Sequence, residues 1–108
     1  MPVHLIYREE SVRAELIGEI DDYTARQMRE AIDPAISRLH PKKLILDFSA
    51  VPFMDSSGIG LIIGRYKLMR LWEGEVTLSG MSRRIEMIVK LSGAEKIVRK
   101  ERREQHAG

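Results

Sequence analysis

The chain has 108 residues, 44% of them hydrophobic and 31% charged, so we expect one globular domain with a modest core. The 18 Lys and Arg residues against 16 Asp and Glu residues leave a net charge of +2, and dispersed basic residues with few aromatics predict no nucleic-acid partner. The absence of cysteine excludes disulfides and thiolate chemistry and fits a cytoplasmic protein, and the apolar runs are too short to predict a membrane span.

The first third of the chain predicts a β-hairpin followed by a helix. Val3–Arg8 and Ser11–Gly18 have the composition of strands, with Glu9-Glu10 as the turn between them. Asp21 or Asp22 then supplies a helix N-cap, and apolar residues follow helical spacing as far as His40. Pro34 lies inside this helical pattern and predicts a kink or local break, because proline lacks an N–H and crowds the carbonyl four residues back.

The middle of the chain predicts a buried strand and a second helix. The unbroken apolar run within Lys43–Phe48 is typical of a strand covered on both faces. Ser57–Leu71 has helical spacing, with Gly60 and Gly64 four residues apart on one side. Each glycine costs about 1 kcal/mol in a helix relative to alanine, so the pair indicates a close approach by another surface.

The last third predicts a strand at Glu75–Leu78, a helix capped by Ser82 that stops at Ser92-Gly93, and a short strand at Ile97-Val98. Residues 101–108 are polar and are expected to fray. The order of elements predicts an α/β domain with a mixed sheet of four to five strands and helices packed mainly on one face.

The segment Phe53–Gly60 (FMDSSGIG) carries most of the chemistry that the sequence offers. It follows a strand and opens a helix, so two hydroxyls, a carboxylate and two glycines lie at a helix N-terminus. The unpaired N–H groups and partial positive charge there favour a phosphate, either bound or attached to a serine. A simple helix cap by Asp55 or Ser56 explains the same residues.

Enzymatic interpretations of this segment have less support. His4, His40 and His106 lack any triad context, and Ser-Ser-Gly-Ile-Gly is not a nucleophile elbow, so no catalytic residue is predicted. No His or carboxylate cluster has metal-ligand spacing, so no metal site is predicted either. A nucleotide-binding or weakly nucleotide-hydrolysing module is an alternative, although the glycines match no nucleotide motif.

Three segments carry a resemblance to a known family: Phe53–Lys67, Gly18–Ala25 and, more weakly, Leu91–Gly93. They resemble the STAS domain of bacterial anti-sigma-factor antagonists, most closely the sporulation type, and the likeness covers nearly the whole chain. The second signature usually reads Gly-Glu-Leu-Asp followed by two histidines, and Asp22 and Tyr23 stand in the places of those histidines here.

The resemblance implies a single STAS domain that acts as a non-enzymatic switch without a cofactor. The unphosphorylated form of such a protein binds an anti-sigma factor that is also a serine kinase, and thereby releases the sigma factor. The kinase uses ATP to phosphorylate the serine directly after Asp55, which is Ser56, and a serine phosphatase reverses the reaction. Ser57 is a secondary acceptor or part of the helix cap. A stress-response or stressosome STAS protein with a different kinase is the alternative within the family.

The resemblance also implies a partner-binding surface around Ser56. Asp21 is expected near the Asp55 loop, where it pairs with a basic group of the partner or acts only as an N-cap. Arg65 is expected as a contact on the second helix. Met54 and Ile59 are expected to form an apolar patch or to belong to the core. The other expected contacts are Asp55, Ser57 and Gly58.

Overall fold

The computed structural model describes residues 2–101, which form a mixed five-stranded sheet and three α-helices. The strands lie across the sheet in chain order, with β1 antiparallel to β2 and the others parallel, so the predicted α/β fold is confirmed. None of these helices combines the length and apolar character needed to cross a bilayer. The elements are β1 (Val3–Tyr7), β2 (Ser11–Ile17), α1 (Asp22–Leu39), β3 (Lys43–Ala50), α2 (Ser57–Arg70), β4 (Glu75–Ser79), α3 (Arg83–Ser92) and β5 (Arg99–Lys100).

The core lies between one face of the sheet and the helices. Side chains alternate along β2 and β3, so that every second residue points into a single apolar cluster shared with the buried stripes of the helices. The largest fully buried members of this cluster include Leu16, Met28, Ile32, Ile36, Leu44, Leu46, Phe48, Ile62 and Leu78. This arrangement places both βα loops that follow β2 and β3 at the same edge of the sheet.

The opposite face of β3 corrects one sequence prediction, because residues 2–101 do not cover the strand on both faces. Ile45 and Asp47 are half-buried on the side that faces away from the core. There Asp47 accepts a hydrogen bond from Arg13 on β2 at 2.9 Å, an ion pair between neighbouring strands. The sequence suggested a strand covered on both faces because Ile45, which lies on this outer face, is apolar like its buried neighbours Leu44 and Leu46.

Helix α1 corrects a second prediction, because it continues without a break through Pro34 from Asp22 to Leu39. Proline removes the hydrogen bond to the carbonyl of Glu30, and both residues are exposed, so water can bond that carbonyl instead. His40 caps the end of the helix, and its backbone N–H donates to the carbonyl of Ile36 at 2.8 Å.

The last strand also begins later than predicted. The backbone N–H of Ile97 donates to the carbonyl of Ala94 at 3.1 Å, which closes a 3-10 turn. Pairing with β4 therefore starts only at Arg99. Glu101, expected to fray, donates its N–H to the carbonyl of Leu78 at 2.8 Å. The remainder of the expected tail, residues 102–108, and with it His106, lies outside the described residues.

Candidate functional site

Two loops lie side by side at the carboxyl ends of the parallel strands β2 and β3, and they form the candidate site. The N–H of Ile20 donates to the carbonyl of Phe53 at 2.9 Å, and the N–H of Asp55 donates back to the carbonyl of Ile20 at 3.1 Å. These bonds hold the residue after Ile20, which is Asp21, beside the loop that carries Asp55. The predicted proximity of these two acidic loops is confirmed. The carboxyl edge of parallel strands is also where open α/β sheets usually bind their ligands.

The backbone at the start of α2 separates the roles of Asp55 and Ser56. The carboxylate of Asp55 accepts a hydrogen bond from the N–H of Ser57 at 2.8 Å, and its carbonyl accepts one from the N–H of Gly58 at 3.0 Å. Asp55 therefore satisfies the first turn of the helix. Ser56 occupies the N-cap position, but its side chain makes no capping bond and is exposed. Its hydroxyl has no hydrogen-bond partner within residues 2–101.

Ser57 has a different environment from Ser56. It is the first residue of α2 and is half-buried. It lines a groove between α1 and α2, whereas Ser56 faces solvent at the loop. The two neighbouring hydroxyls are thus presented to different surroundings, a distinction that the sequence alone does not make.

Asp21 is exposed and forms a complete capping box at the start of α1. Its carboxylate accepts a hydrogen bond from the N–H of Thr24 at 2.9 Å, and the Thr24 hydroxyl accepts one from the N–H of Asp21 at 2.9 Å. The hydrogen bond from the Thr24 N–H is the main cause that lowers the pKa of Asp21. The carboxylate is therefore negatively charged at neutral pH and fixed in direction on the surface next to the Asp55 loop.

Met54 and Gly58 are part of the interior, so of the two placements expected for Met54 the core is confirmed and the apolar patch is not. Met54 forms a parallel bridge with Ile20 and is 1% exposed. Its side chain packs against the backbone of Gly58, where a Cβ atom would overlap it. Ile59 is half-buried and packs against the core. These residues support the loop from beneath, and this is their contribution to the site.

Arg65 is likewise not the exposed contact that was expected. Its side chain is 7% exposed, and its Nε lies 2.8 Å from Oδ1 of Asp33 on α1, with the geometry of an ion pair more than of an aligned hydrogen bond. Burial lowers the pKa of Arg65, against the opposing attraction of Asp33. Burial also raises the pKa of Asp33, although Arg65 and Arg29 oppose this. The pair joins α1 to α2. The sequence did not predict it, because the two residues are 32 positions apart in the chain.

Two exposed aromatic residues adjoin the site, and neither was predicted from the sequence as a partner contact. Phe53, 44% exposed, lies in the loop directly before the bridge residue Met54. Tyr23, 67% exposed, lies in the first turn of α1. Exposed aromatic side chains next to a polar centre are common anchors of protein interfaces. The sequence could have indicated both as contacts, because they lie in the segments Phe53–Lys67 and Gly18–Ala25 that carry the family resemblance.

Sequence comparison identifies the family to which this site belongs. Residues 8–107 match the STAS domain family. An anti-sigma F factor antagonist of Paenibacillus polymyxa is 36% identical over 83 residues, which cover 77% of this chain and 71% of that protein. An anti-sigma-B factor antagonist of Listeria monocytogenes is 33% identical over 81 residues, which cover 75% of this chain and 70% of that protein.

Solved structures agree with this result. The anti-sigma factor antagonist SpoIIAA in its unphosphorylated form matches with a TM-score of 0.80 and 29% identity, over 94% of this chain and 90% of that one. The Bacillus cell fate determinant SpoIIAA in its phosphorylated form matches with a TM-score of 0.72 and 29% identity, over 94% and 93%. The chain therefore belongs to the STAS domain family and, within it, to the anti-sigma-factor antagonists.

Proposed function

We propose that this chain binds an anti-sigma factor, releases the sigma factor that it holds, and is switched off by phosphorylation of Ser56. The observation that carries the proposal is the exposed hydroxyl of Ser56, which has no partner within residues 2–101 because Asp55 caps the helix in its place. A kinase can therefore phosphorylate this hydroxyl without first breaking a hydrogen bond within residues 2–101. The names of the relatives support the partner class.

A phosphate at this position acts through charge. It adds about 1.5 to 2 negative charges at neutral pH. The N-terminus of α2 tolerates them, whereas the neighbouring carboxylates of Asp55 and Asp21 make the surface strongly negative. A partner that binds this surface when Ser56 is unmodified would then be repelled by like charges or would lose contacts with it. The fold itself stays intact. The matches to both solved forms of SpoIIAA support the persistence of the fold.

Three other components are part of this proposed switch: a kinase, its substrate ATP and a phosphatase. The anti-sigma factor is also the serine kinase, ATP is the substrate of that kinase, and a serine phosphatase restores the unmodified hydroxyl. The chain itself is a non-enzymatic binding protein without a cofactor, and it acts in the cytoplasm with its partners. The sigma-F type of partner is preferred, and the anti-sigma-B relatives make the stress-response type the second candidate.

The experiment is phosphorylation by the anti-sigma kinase of the same host with ATP and Mg²⁺, followed by intact and fragment mass spectrometry. We expect one added phosphate, on Ser56. Ser57→Ala is the matched control and should still be modified, whereas Ser56→Ala should not. Phosphate found on Ser57 instead would contradict the assignment of the site.

A binding measurement tests the switch itself. Ser56→Ala should bind the anti-sigma factor, and Ser56→Asp should bind at least about tenfold more weakly because it places a charge in the interface. Equal binding by these two variants would contradict a charge switch. Wild-type protein that binds ATP without the kinase would instead favour the nucleotide-binding alternative.

A further inference from the structure

A groove with a cavity of about 330 Å³ separates α1 from α2 next to the proposed phosphorylation site. Ser57, which follows Ser56 in the chain, lines one end of it, and Arg65 lies in its wall further along α2. The groove is therefore continuous with the surface formed by the two loops. Its lining residues are Asp22, Ala25, Arg26, Arg29, Ser57, Gly60, Leu61, Gly64 and Arg65.

Positive charge exceeds negative charge among the residues that line this groove. Arg26 and Arg29 are exposed on the α1 side, and neither makes a hydrogen bond or an ion pair with another residue in the described range. Asp33 pairs with Arg65 at 2.8 Å and also attracts Arg29, so this one carboxylate is shared by two guanidinium groups. Asp22, at the start of α1, is the one carboxylate among the lining residues. The exposed guanidinium groups of Arg26 and Arg29 can therefore still pair with an acidic group from outside.

The α2 side of the groove is open because of its glycines. A Cβ atom added at Gly60 or Gly64 would meet nothing within 4 Å outside the helix itself, so the close approach predicted from the sequence does not occur within residues 2–101. Glycine is unfavourable inside a helix, and no packing within this range compensates for it here. The space above these residues is accessible to a second molecule that approaches the helix backbone.

We propose that this groove receives an acidic segment of the anti-sigma factor, with carboxylates paired to Arg26 and Arg29 and backbone lying over Gly60 and Gly64. The inference rests on the proposed function and names a second region of the same interface. Arginine pairs with carboxylates through two parallel hydrogen bonds, which favours carboxylate side chains as the occupant. Asp22 at the groove disfavours a free, highly charged anion, whereas a protein segment can place a neutral residue there.

The test compares variants in calorimetric titration with the anti-sigma factor of the same host, at low and high salt. Arg26→Gln/Arg29→Gln should bind at least about tenfold more weakly at low salt and lose most of the salt dependence. Arg38→Gln is the matched control, because Arg38 is exposed on the same helix outside the groove, and it should bind within about twofold of wild type.

The glycine variant separates binding from folding. Gly60→Ala/Gly64→Ala should raise the melting temperature, because alanine favours the helix and the added methyl groups meet no other residue, yet it should bind at least about tenfold more weakly. A merely structural role for these glycines would instead leave binding unchanged.

Three results would overturn the inference, and they differ in what else they affect. If the groove variants bind like wild type while Ser56→Asp binds weakly, the groove is not part of the interface and the proposed function stands. If wild-type protein does not bind the anti-sigma factor, both fail. If free wild-type protein binds inorganic phosphate and Arg26→Gln/Arg29→Gln does not, the groove is a small-anion site.

Discussion

Replacing Asp33 by Asn is expected to destabilise the protein more than replacing Arg65 by Met, although the two side chains form one ion pair. The guanidinium of Arg65 is 7% exposed and the carboxylate of Asp33 is 28% exposed, with 2.8 Å between Nε and Oδ1. Without Asp33, the guanidinium stays charged in the interior, because arginine does not lose its proton at any ordinary pH. Without Arg65, Asp33 can reach water or take up a proton.

The magnitudes follow from this asymmetry. Removing one partner of a buried pair costs about 3–5 kcal/mol, and Asp33→Asn should cost about 3 kcal/mol because the amide oxygen can still accept a hydrogen bond. Arg65→Met leaves a partly hydrated carboxylate and should cost about 1–2 kcal/mol. With a urea dependence of about 1.5 kcal/mol per M, these values lower the unfolding midpoint by about 2 M and about 1 M.

Urea unfolding followed by Trp72 fluorescence measures the effect without touching the functional site. Trp72 stacks on His40 with 4.3 Å between ring centroids and donates to the carbonyl of Pro41 at 2.9 Å, at the other end of β3 from Ser56. Far-ultraviolet circular dichroism should give the same midpoints. The reasoning is refuted if Arg65→Met costs as much as Asp33→Asn, or if the double variant shows purely additive costs.

Two further predictions concern the loop support and the outer sheet face. Gly58→Ala should lower the melting temperature, because its Cβ overlaps the buried side chain of Met54, whereas Gly60→Ala should raise it, because its Cβ meets no other residue. Thermal unfolding checks both, and a change of the same sign in the two variants would contradict the packing. Burial raises the pKa of Asp47, but hydrogen bonds from Ser49 and the charge of Arg13 outweigh it and leave the pKa below its usual value. The unfolded chain then takes up the proton first, so this stabilisation is complete above pH of about 4 and is lost as the pH falls through the folded pKa. Asp47→Asn should flatten the stability curve below a pH of about 4, and a slope there equal to that of the wild-type protein would refute the assignment.

The sequence predicted those features of the fold that depend on neighbours along the chain. The caps at Asp21 and Ser82 and the helix end at Gly93 lie where their residue types predict. Strand and helix order followed from periodicity, and with it the position of Ser56 between β3 and α2. Local propensity and capping act within a few residues, so a pattern in the sequence contains them.

The prediction of the site was less complete. The sequence predicted that the two loops lie side by side, which the structure confirms, but it left open which residue caps α2. It also predicted Arg65 as a partner contact, and it placed Met54 either in an apolar patch or in the core. Both are buried in the structure, and the exposed aromatic residues Tyr23 and Phe53 lie beside the site instead.

By itself, the sequence determined the α/β architecture, the family and the segment that carries Ser56. Tertiary structure alone decided that Asp55 caps the helix and leaves Ser56 free, that Arg65 pairs with Asp33, and that the space above Gly60 stays open. The physical reason is that burial and ion pairing depend on residues brought together from distant parts of the chain. The sequence shows that Arg65 carries a charge, but it does not show whether that charge faces solvent or pairs with a carboxylate 32 residues away.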